Sequence, residues 1–134
     1  MTEQTTVVAD LLVDLLERGH AVQFQARGDS MYPLIRDHDY LHVEPCGEIR
    51  VGEIVLVLAE RGLTAHRVIS IREGQVITRG DNAPAADDAV AREKVLGKVT
   101  AVLRDGREVK VGGVGLMGLM RLMRRMRRRF SFVP

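Results

Sequence analysis

The sequence is poor in residues that cross-link or rigidify a small chain. Among its 134 residues it has one cysteine, Cys46, and no tryptophan. A single cysteine excludes an internal disulfide framework and a multi-cysteine zinc site, and it fits a reducing compartment. Proline is scarce, at four residues, while 46% of the residues are hydrophobic and 28% are charged. This composition argues against a collagenous or disordered chain and suits one globular domain.

Long apolar runs are also missing. The longest stretch without a charged residue is 111–120, and glycine dilutes it, whereas a helix that spans a bilayer needs roughly 20 apolar residues. The first residues contain no basic region followed by an apolar run, which argues against a cleavable secretory signal. We therefore expect no transmembrane helix and a cytoplasmic location.

Acidic residues are absent from the C-terminal end. Residues 109–134 carry seven basic residues and no acid, whereas residues 1–108 carry 13 basic and 18 acidic residues. Apolar residues and arginines recur at helical spacing over 112–134, so we expect a basic amphipathic helix. Such helices bind anionic membrane surfaces, which predicts a peripheral association with membranes. A protein partner or a second copy is the next alternative, and nucleic acid is the weakest one.

Two hydrophobic periods divide the rest of the chain. Apolar residues between Val7 and Leu16 recur every three or four positions and Gly19 follows them, which predicts an amphipathic helix over 1–19. After Gly19 the pattern changes: 21–26 alternates, and the following segments up to 111 are short runs rich in Val, Ile and Leu between Gly, Asp and Asn turns. Asp105-Gly106 predicts a hairpin turn. We expect a mainly β fold, an antiparallel β body with a helix before it and a helix after it. The predicted strands cover 21–26, 40–44, 53–59, 63–71, 75–78, 95–103 and 108–111.

Three places in the β body hold residues that could carry chemistry. Ser30 lies in a turn with a glycine before it and a proline after it, His66 interrupts an apolar strand, and 80–82 is a Gly-Asp-Asn turn. Taken singly, each has a structural explanation, because serine is a common turn residue and a lone strand histidine is more often part of the surface. The remaining histidines show no metal-ligand spacing, and we expect neither a metal nor a cofactor.

Taken together, these motifs resemble a known family. They are Gly28-Asp29-Ser30-Met31-Tyr32-Pro33-Leu34, Val51-Gly52-Glu53-Ile54-Val55, His66-Arg67-Val68-Ile69, and Gly80-Asp81-Asn82 with Asp87-Asp88. Their order and spacing over roughly 24–102 resemble the signal peptidase I and phage-repressor-like superfamily of serine peptidases. Most bacterial members have a lysine where His66 stands, so the chain looks like the endoplasmic-reticulum type of signal peptidase. The resemblance implies the coiled β fold of that superfamily.

The resemblance also implies an activity, cleavage of an extended peptide or leader segment at small residues. Ser30 would be the nucleophile, its backbone amide would stabilise the oxyanion, and Met31 and Pro33 would contact the substrate. His66 would be the general base, which agrees with its chemistry, because a serine hydroxyl needs a base and a neutral imidazole suits that task.

A carboxylate that orients the imidazole would complete the set. The resemblance favours Asp81, in the Gly-Asp-Asn motif, and Asp88, at the second acidic position of the endoplasmic-reticulum type. Which of them contacts His66 is left open, and Asp87 is a weaker candidate by one position. The second oxyanion donor is open too, because many bacterial relatives have a serine where this chain has Gly28.

Two features depart from the superfamily's biology. Signal peptidases are anchored in a membrane, and no span is predicted here. Self-cleaving repressors cut at Ala-Gly or Cys-Gly upstream of the serine, whereas the single Cys46-Gly47 lies downstream of Ser30 and no Ala-Gly occurs. The alternative to an enzyme is a catalytically idle β-domain that binds a peptide or dimerises. The intact serine, histidine and aspartate set favours the enzyme.

Overall fold

The computed structural model describes residues 3–60 and 62–111. Within them, one α-helix precedes eight β-strands, and a short 3-10 helix, Arg92–Lys94, precedes the seventh strand. The elements are α1 Glu3–Glu17, β1 Val22–Gln25, β2 Tyr40–Pro45, β3 Ile54–Ala59, β4 Gly62–Arg72, β5 Gln75–Arg79, β6 Val90–Ala91, β7 Val95–Arg104 and β8 Arg107–Lys110. The predicted basic tail, 112–134, lies outside the described residues.

The strands form a single antiparallel sheet, which confirms the prediction of a mainly β fold. Its order is β1-β2-β7-β3-β4-β5-β6, and β8 pairs with β7. The register shifts once within each of three strand pairs, β2 with β7, β3 with β7 and β4 with β5. Such irregularities increase the local twist of a sheet. The last of them lies just beyond His66 on β4.

The central strand β3 is buried on both of its faces. Ile54 and Leu56 belong to one hydrophobic cluster, whereas Val55 and Val57 belong to the other. Side chains alternate between the two faces of a strand, so an unbroken apolar run fits a strand that is covered on both sides. Leu16 of α1 is buried in the first cluster, as expected for a helix that covers the sheet. No helix among the described residues combines the length and apolarity that a membrane span requires.

The hairpin between β7 and β8 follows directly from its two turn residues. Asp105 and Gly106 have φ values of 51° and 75°, the positive angles that a tight turn of this kind needs. The flanking residues pair as Leu103 with Glu108 and Arg104 with Arg107. The hairpin predicted from the Asp-Gly pair is confirmed.

Candidate active site

Ser30 lies in the turn that connects β1 to β2. Gly28 begins this turn with a φ of +82°, a left-handed conformation that glycine adopts without steric cost. The amide of Gly28 donates to Oδ1 of Asp37 at 2.8 Å, and the amide of Tyr32 donates to the carbonyl of Asp29 at 3.1 Å. The turn therefore exposes Ser30 on a well-bonded backbone.

A partly buried ion pair holds the end of this turn. Asp39 accepts two hydrogen bonds from Arg104 of β7, at 2.9 Å and 2.5 Å, and one from the amide of Arg36. Arg104 also donates to the carbonyl of Leu34 at 3.1 Å. The hydrogen bond with Asp39 raises the pKa of Arg104, against the opposing effect of burial. The guanidinium is thus a permanent cation that ties the Ser30 turn to the sheet.

The imidazole of His66 lies between a hydroxyl and a carboxylate. Its Nε2 atom is 3.0 Å from Oγ of Ser30, and its Nδ1 atom is 2.6 Å from Oδ2 of Asp87. A carboxylate only accepts hydrogen bonds, so Nδ1 carries a proton, and in the neutral imidazole Nε2 presents its lone pair to Ser30. The His66 side chain is only 11% exposed. Three side chains that are distant in sequence thus form one hydrogen-bonded row.

Asp87 is fixed by Thr78 on the neighbouring strand β5. The hydroxyl of Thr78 donates to Oδ2 of Asp87 at 2.7 Å, and the amide of Asp87 donates to the carbonyl of Thr78 at 2.8 Å. Asp88 is exposed. The expectation that Asp81 or Asp88 contacts His66 is wrong, because the carboxylate on the imidazole belongs to Asp87.

Asp81 has a different partner. It accepts hydrogen bonds from Nε and Nη2 of Arg67 at 2.7 Å and 2.5 Å, and Arg67 also donates to the carbonyl of Gly52 at 2.9 Å. The two side chains are 8% and 7% exposed. This buried pair joins the Gly-Asp-Asn turn to the strand that carries His66. The ion pair therefore fixes these two elements of the site relative to each other, and Asp81 does not contact the imidazole.

The Gly-Asp-Asn turn also packs directly on Ser30. A Cβ atom at Gly80 would lie 2.6 Å from the carbonyl oxygen of Ser30 and 3.2 Å from Nε2 of His66, so only glycine fits there. The amide of Asn82 donates to the Ser30 carbonyl at 2.8 Å, and its side chain donates to the carbonyl of Asp29 at 3.1 Å. The turn thus holds the backbone on both sides of the Ser30 side chain.

The residues after Ser30 are less available than the sequence predicted. Met31 is only 3% exposed and belongs to the first hydrophobic cluster. Its sulfur accepts a hydrogen bond from the amide of Asp81 at 3.3 Å. The Met31 side chain is therefore part of the core, and a contact between Met31 and substrate stays a prediction. Pro33 is half-buried and follows a cis peptide bond after Tyr32, and its contact with substrate stays a prediction.

The backbone amide of Ser30 has no hydrogen-bond acceptor within the described part of the chain. Among residues 3–60 and 62–111, none accepts a hydrogen bond from it. A Cβ atom at Gly28 would meet nothing within 4 Å, so the position that holds a serine in many bacterial relatives is open space here. Across the same residues, no group of three or more His, Cys, Asp or Glu side chains could hold a metal ion.

A comparison with models of protein families identifies the family of this chain. The model described as Peptidase S24-like matches residues 2–100. The chain belongs to this Peptidase S24-like family. A search of curated proteins gives no match. The S24-like match covers α1, the Ser30 turn, His66 and Asp87, and it ends before β8. Membership supports a peptidase-like or repressor-like domain, and the closeness to the endoplasmic-reticulum type of signal peptidase stays a prediction.

Proposed function

We propose that the protein is a serine endopeptidase with Ser30 as nucleophile, His66 as general base and Asp87 as the orienting carboxylate. The observation that carries the proposal is the pair of hydrogen bonds at His66, 3.0 Å to the Ser30 hydroxyl and 2.6 Å to Asp87. A packing role alone would not require an exposed hydroxyl, a buried imidazole and a carboxylate in this order.

The chemical steps follow from the proton positions. Nε2 of His66 takes the hydroxyl proton while Oγ of Ser30 attacks the substrate carbonyl carbon. Asp87 stabilises the imidazolium through Nδ1–H. The imidazolium then gives its proton to the departing amine, and the C–N bond breaks to leave an ester on Ser30. Nε2 then takes a proton from a water molecule that attacks that ester. The bond between the acyl carbon and Oγ breaks, the carboxylic acid product leaves, and the imidazolium returns the proton to Oγ of Ser30.

The tetrahedral intermediates place a negative charge on the former carbonyl oxygen. Donors that already point at this oxygen lower the barrier, because they need no reorganisation during the reaction. The free amide of Ser30 is the first such donor. Gly28 has no side chain and the space beside it is open, so a group other than residue 28 has to be the second donor to the oxyanion. Asp29, next to the nucleophile, is exposed to solvent.

The substrate class is proposed from the resemblance to signal peptidases with a histidine base. We propose an extended peptide or leader segment with small residues next to the scissile bond. An imidazole in place of the more common lysine supports the endoplasmic-reticulum type as the closer relative. The proposal concerns the reaction and the class of substrate, and it names no individual precursor.

We also propose that the tail, residues 112–134, binds an anionic membrane surface. Residues 1–111 carry 14 basic and 18 acidic residues, a net charge of −4, so the attraction to such a surface has to come from the six arginines of the tail. The tail is joined to the body at Val111, which is buried in the first hydrophobic cluster and whose amide donates to the carbonyl of Thr100 at 2.8 Å. The last described residue before the tail is therefore held by the body.

The peptidase proposal is tested with a fluorophosphonate probe, which reacts only with an activated serine. Nucleophilic Ser30 would displace fluoride and form a P–O bond, with loss of HF, which adds the mass of the probe less HF to tryptic peptide 28–36. Ser30→Ala should abolish labelling, while Ser70→Ala on β4 should leave it unchanged. Cleavage of a mixed peptide library should then occur next to small residues in the wild type only. A folded wild-type protein that neither labels nor cleaves would favour the idle domain instead.

A further inference from the structure

Thr78 is a polar residue at a position that packing alone would fill with an apolar one. Along β5, Val76 and Thr78 point to the same buried face, and Thr78 is only 4% exposed. Valine has nearly the same shape as threonine and suits a buried strand position. Burying a hydroxyl costs free energy unless it forms a hydrogen bond. The oxygen at this position therefore points to a role beyond filling space.

The hydroxyl of Thr78 and the imidazole of His66 bind the same oxygen atom. Oδ2 of Asp87 is 2.7 Å from Oγ1 of Thr78 and 2.6 Å from Nδ1 of His66. The Asp87 side chain is 37% exposed, so solvent competes for its oxygens. A buried donor on Oδ2 restrains rotation of the carboxylate and keeps this atom directed at the ring.

We propose that Thr78 is a positioning residue for the site, an inference that rests on the proposed peptidase function. Its hydroxyl holds Asp87 in the orientation that accepts the proton of Nδ1. This contact fixes the imidazole tautomer in which Nε2 is unprotonated and can receive the hydroxyl proton of Ser30. The hydrogen bond from the Asp87 amide to the Thr78 carbonyl fixes the backbone of Asp87. The Thr78 hydroxyl then fixes the rotation of the Asp87 carboxylate.

Two pairs of variants of the full chain isolate the hydroxyl. Thr78→Val keeps the shape and removes the oxygen, whereas Thr78→Ser keeps the oxygen and removes a methyl group. The second-order rate of fluorophosphonate labelling at Ser30 should fall roughly 10-fold in Thr78→Val, the size expected for a hydrogen bond to a charged group. It should stay within about 3-fold of wild type in Thr78→Ser. Thr78→Ala against Thr78→Ser repeats the comparison without the methyl group, should Thr78→Val fail to fold.

Nitrogen-15 NMR of His66 gives a readout that needs no activity. At a pH at which the imidazole is neutral, wild type and Thr78→Ser should show Nδ1 protonated and Nε2 unprotonated, while Thr78→Val and Thr78→Ala should show a mixture of tautomers. If all variants keep the wild-type tautomer, or if Thr78→Ser is as slow as Thr78→Ala, the inference is overturned and the effect is one of packing. Failure of the wild type to label would overturn the peptidase proposal, and the NMR comparison would still decide the role of Thr78.

Discussion

Oδ2 of Asp87 lies 2.6 Å from Nδ1 of His66, on the side of the ring opposite Ser30. The neighbouring carboxylate of Asp88 is exposed instead. Two adjacent aspartates therefore occupy different environments, and the chain contains its own control for the proposed role of Asp87.

Replacing Asp87 by Asn should slow the reaction of Ser30 by roughly 10²- to 10⁴-fold, because an amide can donate to Nδ1 and favour the wrong tautomer. Asp88→Asn removes the same charge one residue away and should change the rate less than about 3-fold, as for other exposed sites. Both are measured as peptide cleavage by the purified variants. A large loss in Asp88→Asn with normal activity in Asp87→Asn would show that the site is assembled differently.

Replacing Gly80 by Ala should disable the site and destabilise the fold. The new Cβ atom would lie 2.6 Å from the Ser30 carbonyl oxygen, so the Ser30 turn or the Gly-Asp-Asn turn has to move, at a cost of about 1–3 kcal/mol. Gly47→Ala is the matched control, since nothing lies within 4 Å of its Cβ position and its φ is not positive. Urea unfolding and the labelling rate of Ser30 should both change in Gly80→Ala alone.

Replacing Asp81 by Ala should act mainly on stability. It leaves the guanidinium of Arg67 buried without its carboxylate, and breaking a buried ion pair in this way costs about 3–5 kcal/mol. Asp14→Ala breaks the exposed pair of Asp14 with Arg18 and should change the unfolding midpoint little. Equal midpoints for wild type and Asp81→Ala, together with a specific loss of labelling, would instead indicate a direct part in the reaction.

The pH dependence of kcat/KM should report a histidine base. An imidazole accepts a proton only in its neutral form, so the rate should rise with pH through a single ionisation and then level off. Any activity in His66→Lys should need a higher pH, because an amine is more basic. A wild-type rate that stays flat from pH 5 to 9 contradicts the proposed base.

Binding to anionic vesicles should depend on the arginines of the tail. Changing Arg121, Arg124 and Arg128 to Gln should weaken co-sedimentation with phosphatidylglycerol vesicles, because each basic residue near the surface contributes about 1 kcal/mol. The matched control changes three exposed basic residues of the body, Arg72, Lys94 and Arg107, to Gln.

Wild-type binding should also weaken with salt, since exposed charges are screened over about 10 Å at 0.1 M. The rate on a free peptide should be the same with and without the tail substitutions. If wild type fails to bind vesicles at low salt, or if deletion of 112–134 unfolds the body, the tail packs against protein and the membrane proposal is wrong.

Local sequence patterns determined the class of fold and the position of its elements. Short runs rich in Val, Ile and Leu between turn residues predicted β2, β3, β4, β5 and β7 to within about two residues, because strand propensity and turn chemistry act locally. The hairpin at Asp105 is local for a similar reason, since its two turn residues must adopt positive φ. Ser30 and His66 were also found from short motifs, and the structure brings them to 3.0 Å.

Only the tertiary structure decided which carboxylate meets the imidazole. Asp81 and Asp87 lie on the same connection after β5, and their partners depend on how that connection folds back over β4 and the Ser30 turn. Arg67, next to His66 in sequence, forms an ion pair with Asp81, while the buried hydroxyl of Thr78 donates a hydrogen bond to Asp87. A one-residue difference redirects a side chain completely, so motif spacing alone did not separate Asp87 from Asp88. Burial of Met31 likewise depends on packing between distant segments, which no pattern within its own motif records.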